Sequence, residues 1–125
     1  MANILVVDDM DDVREGIAAV LSQNGHTVTE ARNGQDGINK LSGSVHFDLV
    51  ITDILMPEKD GTEVIMHLET LPGRPPVLAI SGGAAQVPAY IALHLARLKA
   101  DATLMKPFHN AELIEKVNQL LATGQ

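Results

Sequence analysis

Cysteine and tryptophan are both absent from this chain of 125 residues. Without thiols there is no disulfide and no thiolate metal site, and cysteine usage leaves the redox compartment undetermined. Aromatic residues are scarce as well. Phe47, Tyr90 and Phe108 are the whole set, too few for a base-stacking surface. Positive charge is in deficit, with nine Lys and Arg against sixteen Asp and Glu and a formal net charge of −7. No basic cluster exceeds a few residues, which argues against nucleic acid as a direct ligand. Hydrophobic residues make up 46%, yet no apolar stretch approaches membrane-spanning length. The opening residues, 1–7, lack the basic lead and small-residue cleavage site of a signal peptide. Cytoplasm is therefore the default location, with no membrane contact, and the expected partner is a protein or a small phosphate compound.

What is present is enough chain for one domain with a real core and too little for two. The domain is expected over residues 1–122, with 123–125 as a frayed tail. Five short apolar runs alternate with five helical patterns: Ile4–Val7, Thr27–Glu30, Leu49–Thr52, Val77–Ile80 and Ala102–Met105. The first, third and fourth are nearly all apolar, which suits parallel strands covered on both faces. The second is more polar and reads as an edge strand.

The first helix is expected from roughly Asp12 to Asn24, with Val13, Ile17, Val20 and Leu21 on one face and Gly25 as its stop. A shorter helix after Asn33-Gly34 carries Ile38 and Leu41. The third turns Val64, Leu68 and Leu71 inward and stops at Pro72-Gly73. The fourth buries Ile91, Leu95 and Leu98. The fifth, after Asn110, buries Leu113, Val117, Leu120 and Leu121 and leaves Glu112, Glu115, Lys116 and Gln119 wet. Alternating strands and helices with short loops imply a parallel sheet, right-handed crossovers and helices on both faces.

In such sheets ligands bind beyond the C-terminal ends of the strands. Asp8 and Asp9 follow the first run there, Asp53 the third, Ser81 the fourth and Lys106 the fifth. Carboxylates crowded at neutral pH repel one another, so a cation should sit among them. Asp9 and Asp53 can share a hard divalent ion, with Asp8 supporting it. Magnesium keeps several waters, so two carboxylates and a backbone carbonyl suffice. Lys106 adds a compact positive charge and Ser81 a hydroxyl. Together they could surround a phosphoryl group, with a carboxylate of Asp53 attacking in line.

Plainer roles are available for each residue. Asp11 and Asp12 suit the start of the first helix and its dipole, and Asp8 and Asp9 could do the same. Asp53 could be a loop carboxylate, Ser81 a turn hydroxyl and Lys106 a surface lysine. Five polar residues at four strand ends are harder to dismiss than any one of them. The histidines (His26, His46, His67, His94, His109) show no paired spacing, so each reads as a surface or capping residue, without the ligands for a zinc site. Met56, Met66 and Met105 read as packing residues, Met66 half-exposed.

Val6-Val7-Asp8-Asp9, the stretch from Asp53 through Met56-Pro57 to Gly61, Ile80-Ser81-Gly82 and Lys106-Pro107-Phe108 together resemble a response-regulator receiver domain. The match runs from Asn3 to about Leu121. The resemblance implies an α/β fold of the flavodoxin-like kind, a five-stranded parallel sheet in the order 2-1-3-4-5, doubly wound. That order is one of the common doubly-wound arrangements, and the resemblance alone implies it for this chain. The resemblance also implies Mg²⁺-dependent phosphorylation of Asp53 by a histidine kinase or a histidine phosphotransfer protein. Asp9, Asp53 and the backbone carbonyl of Leu55 would ligate Mg²⁺, with Asp8 bound through water. Lys106 would pair with the phosphoryl group, and Ser81 would move to hydrogen-bond it. The Lys106-Pro107 bond is cis in the family, and X-Pro bonds tolerate cis cheaply.

The sequence departs from the family in places. Three residues before the lysine, receivers usually carry Tyr or Phe, and here Thr103 stands. The loop from Gly82 to Pro88 is longer than usual and opens with paired glycines, so it is expected to be the main moving part. Leu55 and Gly83 border the path of a hydrolytic water in the family, and neither can orient it, so slow dephosphorylation is expected. On the fourth helix, Tyr90, Leu93, His94 and Arg97 fall opposite the inward face. In a receiver that face is a frequent docking or dimerisation surface, so a downstream protein target is expected there, with the chain a monomer or a weak phosphorylation-dependent dimer.

Three other classes compete. A haloacid-dehalogenase-type hydrolase needs a second acid two residues after Asp53, where Leu55 stands. A flavin mononucleotide binder needs a hydroxyl- and glycine-rich first loop, and the acids at 8, 9, 11 and 12 repel a bare anion. A receiver-like interaction module that works without phosphorylation keeps the fold but would be expected to lose site residues, and all five are present. The chain is therefore expected to be a signalling phosphoacceptor rather than an enzyme, either as a stand-alone regulator or as the receiver of a larger protein.

Overall fold

The computed structural model describes residues 2–54, 61–81 and 100–123, with backbone alone at 61–63, 81 and 123. The strands are β1 (Asn3–Val7), β2 (Thr27–Ala31), β3 (Leu49–Asp53), β4 (Val77–Ser81) and β5 (Ala102–Met105). Among the described residues three helices, α1 (Asp11–Gln23), α2 (Gly34–Leu41) and α3 (Gly61–Glu69), lie between them, and a C-terminal helix spans Asn110–Thr123. The strands form one sheet in the order β2-β1-β3-β4-β5, and every pairing is parallel. This is the five-stranded α/β architecture expected. The fourth helical pattern, with Ile91, Leu95 and Leu98, lies outside the described residues, as do Tyr90, Leu93, His94, Arg97 and the loop from Gly82 to Pro88.

Strand alternation explains why both faces of the sheet need a cover. Ile4 and Val6 of β1 face one cluster with Ile17 and Leu21 of α1 and Leu113, Val117 and Leu120 of the C-terminal helix. Leu5 and Val7 face the other cluster with Val64, Ile65 and Leu68 of α3 and Phe47. Side chains along a strand point to opposite faces in turn, so an all-apolar strand pays for itself only inside a sandwich. Each such side chain contributes about 1.5–3 kcal/mol on burial. The two partly buried hydrophobic residues of α2, Ile38 and Leu41, complete the second layer.

Local signals set the helix ends. At the close of α1 the Gly25 N–H donates to the Ser22 carbonyl (3.1 Å) and the His26 N–H to the Leu21 carbonyl (3.2 Å). Gly25 has φ +87°, the left-handed conformation that this paired closure requires and that glycine adopts without steric cost. At the start of α2 the Asn33 side chain accepts from the Asp36 N–H at 2.8 Å.

Several boundaries differ from the sequence reading by a residue or two. The third and fourth strands include Asp53 and Ser81 as their last residues, because ladder pairing continues through Asp53–Ile80 and Ser81–Met105. The third helix ends at Glu69, and Leu71 packs from the turn beyond it. Lys116 is half-buried rather than wet. Met105 is not a packing residue, being 49% exposed. Leu104 beside it takes the inward position on the edge strand, and alternation turns Met105 to the opposite face.

Candidate functional site

The C-terminal ends of β1, β3 and β5 bring Asp8, Asp9, Asp53 and Lys106 together. Asp8 follows β1 directly, and its N–H donates to the Ala31 carbonyl of β2 at 3.1 Å. One oxygen of its carboxylate, Oδ1, accepts from the Met10 N–H at 2.9 Å and bends the chain into α1. Asp53 is the last residue of β3, so its placement is that of the central sheet. Asp8 is 1% exposed and Asp53 5%, whereas Asp9 sits at the rim and is exposed.

Oxygens of these three carboxylates all lie within 4.8 Å of one another. Exposed acidic clusters are common and mean little, but two buried members are different. A buried carboxylate without compensation is costly. Lys106 supplies the compensation. Its Nζ donates to Asp53 Oδ2 at 2.7 Å and to Asp8 Oδ2 at 3.1 Å. Burial by itself lowers the Lys106 pKa, but the hydrogen bond and charge of Asp53, followed by the charge and hydrogen bond of Asp8, outweigh it. The net shift is upward, and the ammonium is held charged. The Lys106-Pro107 peptide is cis, as expected from the resemblance.

A set made only of carboxylate oxygens suits a hard cation. Magnesium is bound through one or two carboxylates with waters retained, and softer metals look for nitrogen or sulfur. The cluster offers three acids and no imidazole. The donor chemistry therefore fits Mg²⁺. Asp8, Asp9, Asp53 and Lys106 meet at one point. The backbone of Ser81 ends β4 at the same edge, opposite Met105, while its side chain and the Leu55 carbonyl lie outside the described residues. Thr103 stands in β5 opposite Ala79 and is half-buried.

One participant was missed in the sequence. The Arg14 side chain is 7% exposed, although it belongs to a polar-looking helix start. Its Nη1 donates to the Asp8 carbonyl at 3.1 Å, its Nε pairs with Glu30 of β2 at 2.9 Å and its Nη2 with Asp11 at 2.7 Å. Burial pulls its pKa down, while the hydrogen bonds to Asp11 and Glu30 and the charges of both raise it overall. The signal was available. The buried positions of α1 are Arg14, Ile17, Ala18 and Leu21, a 3-1-3 spacing that puts the arginine on the inward face.

Comparison with known proteins gives a consistent picture. The sequence profile of the response regulator receiver domain matches residues 4–118. A probable transcriptional regulatory protein of Picosynechococcus is 33% identical over 130 residues, covering 99% of this chain and 51% of that protein. Response regulator RR06 of Streptococcus pneumoniae is 31% identical over 119 residues, covering 95% of the chain and 52% of the relative. The chain thus spans about half the length of these relatives. Among solved structures, a Francisella response regulator receiver domain superposes with TM-score 0.85 at 26% identity, over 100% of both chains. Response regulator TrrA of Thermotoga maritima, solved in complex with Mg(2+)-BeF, superposes with TM-score 0.81 at 31% identity, covering 96% of this chain and 99% of that one.

Proposed function

This chain belongs to the response regulator receiver domain family of two-component systems, and from that premise we propose that Asp53 is its phosphoacceptor. The observation that carries the proposal is the single ammonium of Lys106 bonded to both buried carboxylates, Asp53 and Asp8. Receiver domains bind Mg²⁺ through acidic residues, and here Asp9, Asp53 and the Leu55 carbonyl would hold it, with Asp8 in support through water. When bound, the ion supplies positive charge to phosphoryl oxygens that must bear negative charge during transfer.

The remaining steps belong to the chain's own groups. A carboxylate oxygen of Asp53 attacks phosphorus as the P–N bond to the donor's imidazole breaks, and the imidazole leaves with the bonding pair and takes up a proton. The product is an acyl phosphate on Asp53. Lys106, already charged and aimed at the Asp53 oxygen, neutralises a phosphoryl oxygen without having to be recruited. Ser81 donates its hydroxyl to another phosphoryl oxygen, and its strand end carries the change toward the segment beyond residue 81. The donor is a histidine kinase or a phosphotransfer protein. The output is a protein contact, for which Tyr90, Leu93, His94 and Arg97 are the proposed docking residues. No described helix is long and apolar enough to cross a membrane.

Incubation with acetyl phosphate and Mg²⁺ tests the proposal by mass spectrometry. A gain of one phosphoryl group is expected, abolished by Asp53→Asn and by chelation of the metal. A native chain that stays unmodified, or an Asp53→Asn chain that is still modified, would overturn it. The former result would favour a phosphorylation-independent interaction module.

A further inference from the structure

The Arg14 fork joins three pieces of chain at the edge of the acidic cluster. Its Nη1 holds the carbonyl of Asp8 (3.1 Å), its Nε reaches Glu30 on the neighbouring strand (2.9 Å) and its Nη2 reaches Asp11 at the helix start (2.7 Å). The Asp8 carbonyl is one end of the peptide plane whose other end is the Asp9 nitrogen. Fixing that carbonyl fixes the direction in which the chain leaves Asp8, and hence where the exposed Asp9 carboxylate starts from. Asp9 has no such anchor of its own in its burial, since it lies at the rim. Asp8 is held from the other side as well, by its N–H to Ala31 (3.1 Å).

We infer that Arg14, braced by Glu30, is a positioning residue for cation binding: it sets the Asp8–Asp9 peptide so that the Asp9 carboxylate meets those of Asp8 and Asp53. The inference rests on the reading of this cluster as a Mg²⁺ site. It has an unusual sign. A guanidinium beside a cation site repels the cation, so a mere charge effect makes Arg14 unfavourable to Mg²⁺ and its removal favourable. Positioning makes the opposite demand. Groups that orient metal ligands without touching the metal are typically worth about 10–100-fold in affinity. Lysine is no equivalent replacement, because one ammonium cannot present the planar fork that spans Asp8, Glu30 and Asp11.

Isothermal titration of the native chain, Arg14→Met and Arg14→Lys with Mg²⁺ alone, alongside thermal melts to establish folding, decides the matter. Arg14→Met is expected to bind Mg²⁺ at least about tenfold more weakly despite the lost positive charge, and Arg14→Lys more weakly than native despite the retained charge. Unchanged or tighter binding by folded Arg14→Met would overturn the inference, and so would native affinity in Arg14→Lys. The lysine variant serves if the methionine variant does not fold. No Mg²⁺ binding by the native chain would overturn the metal-site reading and this inference with it, so the two failures are told apart.

Discussion

Lys106 Nζ lies 2.7 Å from Asp53 Oδ2, and this bond ties the end of the edge strand β5 to the end of the central strand β3. The same ammonium continues to Asp8 at 3.1 Å. Its raised pKa means that the folded chain holds the proton more tightly than the unfolded chain does. The stabilisation is therefore fully present below the unfolded value of 10.5 and disappears as pH rises through the higher folded value. At neutral pH the ion pairs are intact.

Replacing Lys106 by Met is expected to destabilise the metal-free chain near pH 8. Breaking a buried pair costs up to about 3–5 kcal/mol, and less here to the extent that a stranded carboxylate takes up a proton. The difference in melting temperature between native and Lys106→Met should shrink as pH falls toward 5. Mg²⁺ should raise the melting point of the variant more than that of the native chain. Equal melting points at pH 8 in a chelating buffer would show that the Asp8 and Asp53 charges are compensated elsewhere.

Two helical glycines should answer an alanine substitution with opposite signs. A Cβ at Gly37 in α2 would come within 2.9 Å of Val7 Cγ2, whereas one at Gly16 in α1 meets nothing within 4 Å. Alanine favours a helix interior by about 1 kcal/mol over glycine. At Gly16 nothing opposes that gain, so Gly16→Ala should be more stable. At Gly37 the neighbour is the fully buried Val7 of β1, which has little room to retreat. Overpacking costs about 1–3 kcal/mol, so Gly37→Ala should be less stable. Chemical denaturation curves measure both, and Val7→Ala should cost less in the Gly37→Ala background than in the native chain.

The start of α2 is held by two side chains that cap in opposite directions. Asn33 Oδ1 accepts from the Asp36 N–H at 2.8 Å, and the Asp36 carboxylate returns to the Arg32 N–H at 3.2 Å. Asn33→Ala should cost about 1 kcal/mol and Asn33→Gly only a few tenths. Asn33→Asp should retain the cap. A loss in Asn33→Ala no larger than in Asn33→Gly would mean that the helix start is held by tertiary packing alone.

How far the sequence announced all this depends on which residues are asked. The apolar runs 4–7 and 49–52 announced buried parallel strands, because a strand covered on both faces has no polar alternation to hide behind. Their acidic ends announced the site, since Asp8 and Asp53 stand where an apolar strand stops. The need for a cation followed from like charges alone, and Lys106 fills it. Sheet order came from resemblance instead, because periodicity does not say which strand is whose neighbour. Arg14 was overlooked because its charge suggested solvent, while its partners Glu30 and the Asp8 carbonyl are distant in sequence. Met105 was misjudged for the converse reason: an apolar side chain in an edge strand has only one face to bury.

His26 gives the chain an acid-sensitive point far from the acidic cluster. It precedes β2, at the opposite end of the sheet, and lines a cleft of about 340 Å³ together with His46, Asp48 and Arg74. Its Nδ1 is buried with no hydrogen-bond partner among the described residues. Burial is the main cause of its lowered pKa. A lowered histidine pKa means that the unfolded chain binds the proton more readily. This contribution to stability is therefore present above the unfolded value of 6.5 and is lost as pH falls through the lower folded value. Carboxylates also titrate in acid, so the decisive quantity is a difference between two chains. His26→Gln, uncharged throughout, should lose less stability than the native chain between pH 7 and pH 5. Thermal unfolding at half-unit pH steps, with the His46→Gln chain as a control for the exposed imidazole nearby, measures it. Parallel pH profiles for the native and His26→Gln chains would show that the His26 ring takes up its proton as easily folded as unfolded.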